Sequence, residues 1–133
     1  MDLGLTGKRA IVTAASRGLG LATARSLAHE GVHVTLNARG TETLEAEAAK
    51  IREEFGVEVR TVAADFNEAD GRAALLEAAG PVDILVNNPG VRQVPTPYDQ
   101  ITIEDWRYWL EVHFLSSIQM IQAVAPGMKE RNF

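Results

Sequence analysis

A short turn, residues 13–20, contains residue types that bind a phosphate group. Gly18 and Gly20 allow the backbone to come close to a phosphate, because glycine has no side chain. A helix that begins in such a turn adds free backbone N–H groups and the positive end of its dipole. The turn predicts a phosphate or pyrophosphate site, although glycines that serve only turn geometry would give the same pattern.

Two arginines lie where a further phosphate would bind. Arg17 is inside the turn. Arg39 lies just past the second predicted strand, and residues 36–40, at the end of that strand, contain no carboxylate. In dinucleotide-binding folds, an acidic residue about 20 positions after the turn binds the ribose of NAD, whereas an arginine accommodates the 2′-phosphate of NADP. Guanidinium groups bind phosphate through paired hydrogen bonds. The two arginines favour NADP(H), with Ser16 and Asn37 as additional donors; the alternative is solvated surface charge.

Alternating strands and helices are predicted to position the turn. The predicted strands are residues 9–13, 32–36, 57–62 and 82–86, and the predicted helices are residues 18–30, 42–55, 67–79 and 102–131. Their apolar periodicity and breakers carry these assignments. The order predicts an α/β fold, a Rossmann-type parallel sheet in the order 3-2-1-4 with helices on both faces. Ligands bind such a sheet at the carboxyl ends of its strands, where the winding reverses.

Local signals refine three of these boundaries. Asn67 is predicted to cap the third helix, and Thr102 with Asp105 forms a variant of the capping box at the start of the fourth. Pro126 predicts a kink near the end of that helix. The segment 87–101 contains three prolines and no periodicity, so it is predicted to be a loop.

Composition limits the class of protein. The 133 residues are predicted to form one dinucleotide-binding domain, residues 1–133. The chain has no cysteine, which excludes disulfides and cysteine-based zinc sites, and we predict no metal site. A net charge of −5 argues against nucleic acid as a partner. No signal peptide and no apolar run near the roughly 20 residues that span a bilayer is present, so we expect a soluble, cytoplasmic protein without a membrane partner.

Three motifs resemble those of the short-chain dehydrogenases/reductases. Residues 13–20 resemble the family's Thr-Gly-x-x-x-Gly-x-Gly turn, with Ala14 in place of the first glycine. Asn-Asn-Pro-Gly at residues 87–90 resembles the family's Asn-Asn-Ala-Gly, with Pro89 for alanine. Asp65 follows the third strand, where the family's aspartate contacts adenine. The resemblance covers essentially the whole chain, which corresponds to the N-terminal half of a typical member. Within the family, the general pattern of the chain is similar to that of NADP-preferring 3-oxoacyl reductases.

The resemblance implies that the chain holds NADP(H) for a hydride transfer between nicotinamide and a small carbonyl or alcohol substrate. The cofactor-binding residues it implies, together with those argued above, are Thr13, Ala15, Ser16, Arg17, Gly18, Leu19, Gly20, Asn37, Arg39, Asp65, Phe66, Asn87, Pro89 and Gly90. The departures have consequences. Ala14 is expected to keep a negative φ or to shift the turn slightly, and Pro89 removes one backbone donor.

The family's catalytic residues are not found in this sequence. In the family, a serine after strand five and a Tyr-x-x-x-Lys motif carry the proton chemistry, but Tyr98 and Tyr108 are followed four residues later by Thr102 and Val112. We therefore predict no catalytic residue and expect the chain alone to be inactive. His113 matches the family's asparagine that organises a proton-relay water; the simpler interpretation is a histidine packed or hydrogen-bonded within a helix.

Three functions remain open from the sequence. The chain is part of an NADP(H)-dependent oxidoreductase whose sheet is truncated before strand five, a nucleotide-binding half-Rossmann module without catalysis, or an interaction protein with a vestigial turn. Strand 82–86 is apolar enough to be buried on both faces, and an unpaired apolar edge invites pairing with another chain. The last helix is expected to expose Leu110, Phe114, Ile118 and Ile121. We therefore predict a homo-oligomer or a longer parent protein.

Overall fold

Four short strands form one parallel sheet in the computed structural model, which describes residues 1–90 and 94–133. The strands are β1 (Arg9–Val12), β2 (His33–Ala38), β3 (Val59–Ala63) and β4 (Ile84–Val86). Their order is β3-β2-β1-β4, and each neighbouring pair is parallel. The predicted fold class and strand order are confirmed. The carboxyl ends of all four strands meet at one edge of the sheet.

The helices alternate with the strands along the chain, as the sequence pattern predicted, and the last two helices follow β4. The helices are α1 (Gly18–His29), α2 (Thr41–Phe55), α3 (Ala69–Ala79), α4 (Ile103–Leu110) and α5 (Ser116–Glu130). After α2, Gly56 takes a left-handed conformation with φ of 67°, the usual end of a helix. Within the described ranges, no helix combines the length and apolar character needed to cross a membrane. The cytoplasmic location stays a prediction.

Apolar side chains alternate along β1 and build a core on each face of the sheet. Ala10 and Val12 pack with α1 and α2, whereas Ile11 packs with α3 and α5. This follows from the strand geometry, in which successive side chains point to opposite faces. Leu44 and Ile51 of α2 are fully buried on the first face. The helices therefore cover both faces, as predicted.

The start of α3 differs from the prediction. Asn67 does not cap the helix: the capping position is Glu68, whose side chain makes no capping hydrogen bond. Instead, the Asn67 N–H donates to Oδ1 of Asp65 at 2.9 Å. Asp65 thus forms a side-chain turn that delays the helix to Ala69. The local competition between these two polar residues decided the boundary.

The final helical region has the predicted extent but is divided into three segments. Its capping box is confirmed, because the Asp105 N–H donates to Oγ1 of Thr102 at 3.1 Å and the Thr102 N–H donates back at 2.9 Å. A π-helical segment, Glu111–Leu115, joins α4 to α5. Pro126 lies inside α5, which continues to Glu130, and the kink stays a prediction.

The loop 87–101 is only partly described. Residues 91–93 of this predicted loop lie outside the described residues. Within it, Tyr98–Gln100 forms a short 3-10 helix that the proline-rich pattern did not predict.

The edge strand β4 is less buried than predicted. All three of its residues are half-buried rather than buried on both faces, because β4 lies at one edge of the described sheet. The neighbouring helical surface is apolar and open: Leu110, Phe114 and Ile121 are 49–57% exposed, and Ile118 is half-buried. Three of the four residues expected to be exposed are therefore exposed.

Asp83 ties the start of β4 to two distant parts of the chain. Its Oδ2 accepts from the Arg9 N–H at 3.0 Å, and its Oδ1 accepts from Nε of Arg131 at 3.2 Å. Burial, the largest influence, raises the pKa of Asp83. The Arg9 N–H and the Arg131 guanidinium outweigh it, so the pKa lies below its ordinary value of 3.8.

We expect Asp83→Asn to lower the free energy of unfolding by about 1 kcal/mol near neutral pH, because the charged acceptor is lost. A lowered folded-state pKa stabilises the fold above the unfolded value of 3.8, and this contribution is lost as the pH falls through the folded pKa. The difference between the two proteins should therefore shrink in acid. Urea denaturation from neutral to acidic pH measures this difference in the free energy of unfolding. Asp99→Asn, at an exposed position, is the control. A difference independent of pH would contradict the prediction.

Candidate dinucleotide-binding site

Loops at the carboxyl ends of the strands enclose a cleft of about 510 Å³. The described residues that line it are Thr13, Ala14, Ser16 and Arg17 after β1; Asn37, Ala38, Arg39, Gly40 and Thr43 around the β2–α2 junction; Ala64, Asp65, Phe66 and Asn67 after β3; and Pro89 and Gly90 after β4. This is the edge of the sheet at which the sequence predicted a ligand. The position follows from the parallel topology, because every loop that leaves a carboxyl end reaches the same edge.

The turn after β1 is held by hydrogen bonds to the loops on both sides. Oγ1 of the buried Thr13 accepts from the Asn88 N–H at 2.8 Å and donates to the carbonyl of Val86 at 3.3 Å. The Ala15 N–H donates to the carbonyl of Asn37 at 2.8 Å. The turn is therefore fixed to both the β2 and the β4 sides of the cleft before any ligand binds.

Gly20 allows α1 to come close to this turn. A Cβ atom at Gly20 would lie 2.3 Å from the Ala14 carbonyl oxygen and 2.9 Å from Nδ2 of Asn88. Real Cβ atoms do not approach backbone oxygen that closely, so only glycine fits here. Gly20, the last glycine of the motif, is thus required for the packing of α1 against the turn.

Ala14 has a left-handed backbone, with φ of 49°. The expectation of a negative φ was wrong. Thr13 and Ala15 are both anchored on either side of it, so the turn imposes on alanine the conformation that a glycine would adopt. A non-glycine residue in this region costs about 1–2 kcal/mol. Ala14 therefore adds a methyl group to the cleft lining in a backbone conformation that glycine adopts without this cost.

Arg17 and Arg39 are exposed residues on the cleft lining. Within residues 1–90 and 94–133, neither forms an ion pair, whereas Arg9, Arg25 and Arg60 each pair with a glutamate. The end of β2 presents no carboxylate to the cleft. Two cations without an ion-pair partner among the described residues therefore line a concave surface, which is the arrangement that attracts a phosphate.

Asn37 has a structural task that the sequence did not indicate. It is buried, and its Nδ2 donates to the carbonyls of Val62 at 2.9 Å and Ala64 at 3.0 Å. Both amide hydrogens are thus used to hold the end of β3 and the start of the loop after it. A contact between this side chain and a ligand would have to use its Oδ1 atom.

The predicted site residues divide into two groups. Those on the cleft lining are Thr13, Ser16, Arg17, Asn37, Arg39, Asp65, Phe66, Pro89 and Gly90. The lining found among the described residues does not include Ala15, Gly18, Leu19, Gly20 or Asn87. Gly20 acts through packing, and Leu19 is 79% exposed. Asn87 donates to the carbonyl of Ser117 at 3.4 Å, and its buried Oδ1 has no hydrogen-bond partner among the described residues.

Sequence reasoning missed part of the lining. The missed residues are Ala14, Ala38, Gly40, Thr43, Ala64 and Asn67. All adjoin predicted positions except Thr43, which lies in the first turn of α2. The signal for Thr43 was available, because a helix that follows β2 directly begins at the carboxyl edge of the sheet. His113 lies in the π-helical segment and is exposed, so its side chain is not packed, and its carbonyl accepts from Oγ of Ser117 at 3.4 Å.

The residues present fit a dinucleotide that carries an additional phosphate. α1 packs closely against the turn because Gly20 has no side chain, and α1 begins at Gly18 with its N-terminus at this turn. Arg17 and Arg39 form no ion pair within the described part of the chain, and the end of β2 carries no carboxylate. This donor set suits a phosphate better than a pair of ribose hydroxyls.

Comparison with known proteins establishes the family. The short chain dehydrogenase family profile matches residues 8–133, and the chain belongs to this family. It is 36% identical over 131 residues to gluconate 5-dehydrogenase of Gluconobacter oxydans (strain 621H), covering 96% of this chain and 50% of that protein. The chain thus spans about half the length of the curated relatives it matches. The resemblance stated from the three motifs is confirmed.

Solved structures share the fold closely. The L-sorbose reductase of Gluconobacter frateurii, solved in complex with NADPH and L-sorbose, superposes with a TM-score of 0.91 at 37% identity, over 98% of this chain and 51% of that one. A metagenomic short-chain oxidoreductase in complex with NADP gives a TM-score of 0.81 at 37% identity, over 93% of this chain and 57% of that one. Both relatives carry the phosphorylated form of the cofactor.

We expect Gly20→Ala to lower the free energy of unfolding by about 1–3 kcal/mol, because the added methyl group collides with the Ala14 carbonyl and the turn must move. Nucleotide affinity should fall with it. Chemical denaturation and calorimetric titration measure the two effects. Gly90→Ala is the matched control for stability alone, since Gly90 itself lines the cleft and no described atom lies within 4 Å of the added Cβ. Equal stability of the two variants would show that the close approach is not required.

Proposed function

We propose that this chain is the NADP(H)-binding part of an oxidoreductase that transfers hydride between nicotinamide and a carbonyl or alcohol substrate. The observation that carries the proposal is the pair of exposed arginines, Arg17 and Arg39, on a cleft whose β2 end has no carboxylate. Relatives that bind NADPH and NADP support the choice of cofactor. Relatives that act on gluconate and on L-sorbose support a carbonyl or alcohol as substrate class.

The chain's residues bind and orient the cofactor in this proposal. Backbone N–H groups of the turn and the N-terminus of α1 hold the pyrophosphate, and Arg17 and Arg39 hold the 2′-phosphate. The loop at Asp65 forms the wall beside the adenine. The nicotinamide, when bound, supplies or accepts the hydride. The sequence contains no Tyr-x-x-x-Lys motif, so we propose that this chain alone binds the cofactor without turnover.

We expect Arg39→Asp to abolish the preference for NADPH over NADH, because a carboxylate replaces a phosphate-binding cation at the end of β2. Losing one charge-assisted hydrogen bond costs about 1.5–3 kcal/mol, and every 1.4 kcal/mol is about tenfold in Kd. NADPH should therefore bind at least about tenfold more weakly, while NADH binding should be unchanged or stronger. Calorimetric titration of each protein with NADPH and NADH measures both constants.

Arg17→Ala and Arg107→Ala complete this test. Arg17→Ala should weaken NADPH more than NADH. Arg107, 74% exposed on α4 and away from the cleft, is the matched control for the loss of one positive charge. If Arg107→Ala weakened NADPH as much as Arg17→Ala, general charge rather than a 2′-phosphate site would explain the preference. A wild-type chain that binds neither nucleotide would overturn the proposed function.

A second candidate function is a nucleotide-binding half-Rossmann module that associates with a second copy of itself and catalyses nothing. The apolar surface of the last helical region favours the association. Leu110 and Ile121 are about half exposed, and Phe114 is 57% exposed. Large apolar side chains that join into one exposed patch typically mark an interface.

We expect the chain to sediment as a dimer or larger oligomer at micromolar concentration and Phe114→Glu to shift it toward the monomer, because a charge would be buried in the contact. Sedimentation velocity measures the distribution. Leu3→Glu, at an exposed apolar residue near the N-terminus, is the control. A wild-type chain that stays monomeric would refute self-association and leave nucleotide binding untouched.

A further inference from the structure

One arginine of α3 is buried instead of exposed. Arg72 is 6% exposed, one of only a few buried charged or polar residues in the described chain. A buried guanidinium needs partners, because leaving water is costly for a charge. Its Nη1 donates to the carbonyl of Phe66 at 2.9 Å and to that of Asn67 at 3.1 Å. These two carbonyls belong to the loop after β3 that lines the cleft.

The same loop is held tightly against α3 at a second point. A Cβ atom at Gly71 would lie 1.9 Å from the Asp65 carbonyl oxygen, so the loop and the helix are in direct backbone contact. Asp65 Oδ1 and its carbonyl also accept from the N–H groups of Asn67 and Glu68. Residues 65–67 therefore take one backbone path, and Arg72 binds its last two carbonyls.

Arg72 also faces the π-helical segment. Its Nη2 lies 3.8 Å from Oε1 of Glu111, the first residue of that segment. Glu111 is 43% exposed, so solvent weakens this ion pair. The two carbonyl hydrogen bonds are buried or part-buried and shorter. The grip on the loop therefore comes from the carbonyls, and Glu111 contributes less.

We propose that Arg72 is a positioning residue for nucleotide binding: its guanidinium fixes the Asp65–Asn67 loop in the shape that receives the adenine end of the cofactor. The inference rests on the proposed function. Arg72 acts through the loop and does not contact the ligand itself, since the guanidinium is buried behind Phe66 and Asn67. Preorganised loops bind more tightly, because the ligand does not have to order them.

The test compares Arg72→Met, Arg72→Lys and Glu111→Gln with the wild type. Calorimetry with NADPH, NADH and adenosine 2′,5′-bisphosphate gives the affinities. Arg72→Met should weaken all three by about tenfold, the loss typical of a buried hydrogen-bonded pair. The ratio of NADPH to NADH affinity should stay at the wild-type value, because Arg17 and Arg39 are unchanged. Arg72→Lys keeps the charge and a donor but lacks the planar guanidinium. Its nucleotide affinities should lie between those of the wild type and those of Arg72→Met.

Amide hydrogen exchange of the free proteins separates positioning from general destabilisation. In Arg72→Met, exchange at the Asn67 and Glu68 amides should rise about tenfold more than at Val12 and Leu36 in the central strands. Glu111→Gln should leave both readouts within about twofold of the wild type, since the pair is solvent-weakened. An equal rise at all four amides, or a loss in Glu111→Gln as large as in Arg72→Met, would overturn the positioning role.

The outcomes also separate this inference from the proposed function. A wild type that binds NADPH, with Arg72→Met binding it equally well, would overturn the positioning role alone. A wild type that binds no nucleotide would overturn the proposed function, and the exchange measurement would still decide whether Arg72 fixes the loop. Where Arg72→Met does not fold, Arg72→Lys decides: wild-type affinity and wild-type exchange at Asn67 and Glu68 in that variant would overturn the inference.

Discussion

The buried hydroxyl of Thr13 is the contact on which the geometry of the cleft depends. It accepts from the Asn88 N–H and donates to the carbonyl of Val86, so it joins β1 to the loop that leaves β4. Parallel strands bring their carboxyl ends together but do not set the distance between the loops. Thr13 sets it on one side, and the hydrogen bond from Ala15 to Asn37 sets it on the other. The width of the cleft is therefore fixed by backbone groups and one hydroxyl.

The charge on the cleft lining differs in sign from the net charge of the protein. The protein is acidic, with a net charge of −5, and most of its described arginines are paired with carboxylates. Arg17 and Arg39 have no such partner within the described ranges, and both lie on the cleft. Unpaired cations at one concave surface attract an anion, and the surrounding negative charge repels it elsewhere. Local placement of charge, not net charge, decides what this protein binds.

The sequence predicted the structure best where the local preference of each segment agrees with its place in the fold. Strand order, helix order and the Thr102–Asp105 capping box followed from periodicity and spacing, because local and tertiary preferences agree there. Prediction was wrong where two local preferences compete. Asp65 captured the N–H of Asn67 and moved the start of α3, and the anchored turn forced Ala14 to a positive φ. The first outcome was decided between residues two positions apart, and the second by hydrogen bonds from the turn to Asn37, Val86 and Asn88.

The structural roles of Asn37 and Arg72 could not be predicted from the sequence. Both are polar residues whose partners are backbone carbonyls of β3 and of the loop after it, which no residue spacing reveals. Asn37 holds the beginning of that loop from β2, and Arg72 holds its end from α3. The loop that lines the cleft after β3 is therefore supported by buried polar groups of β2 and of α3. Buried polar groups of this kind specify one backbone path, because any other path would leave them unpaired. The shape of the cleft is thus set by hydrogen bonds within the protein itself.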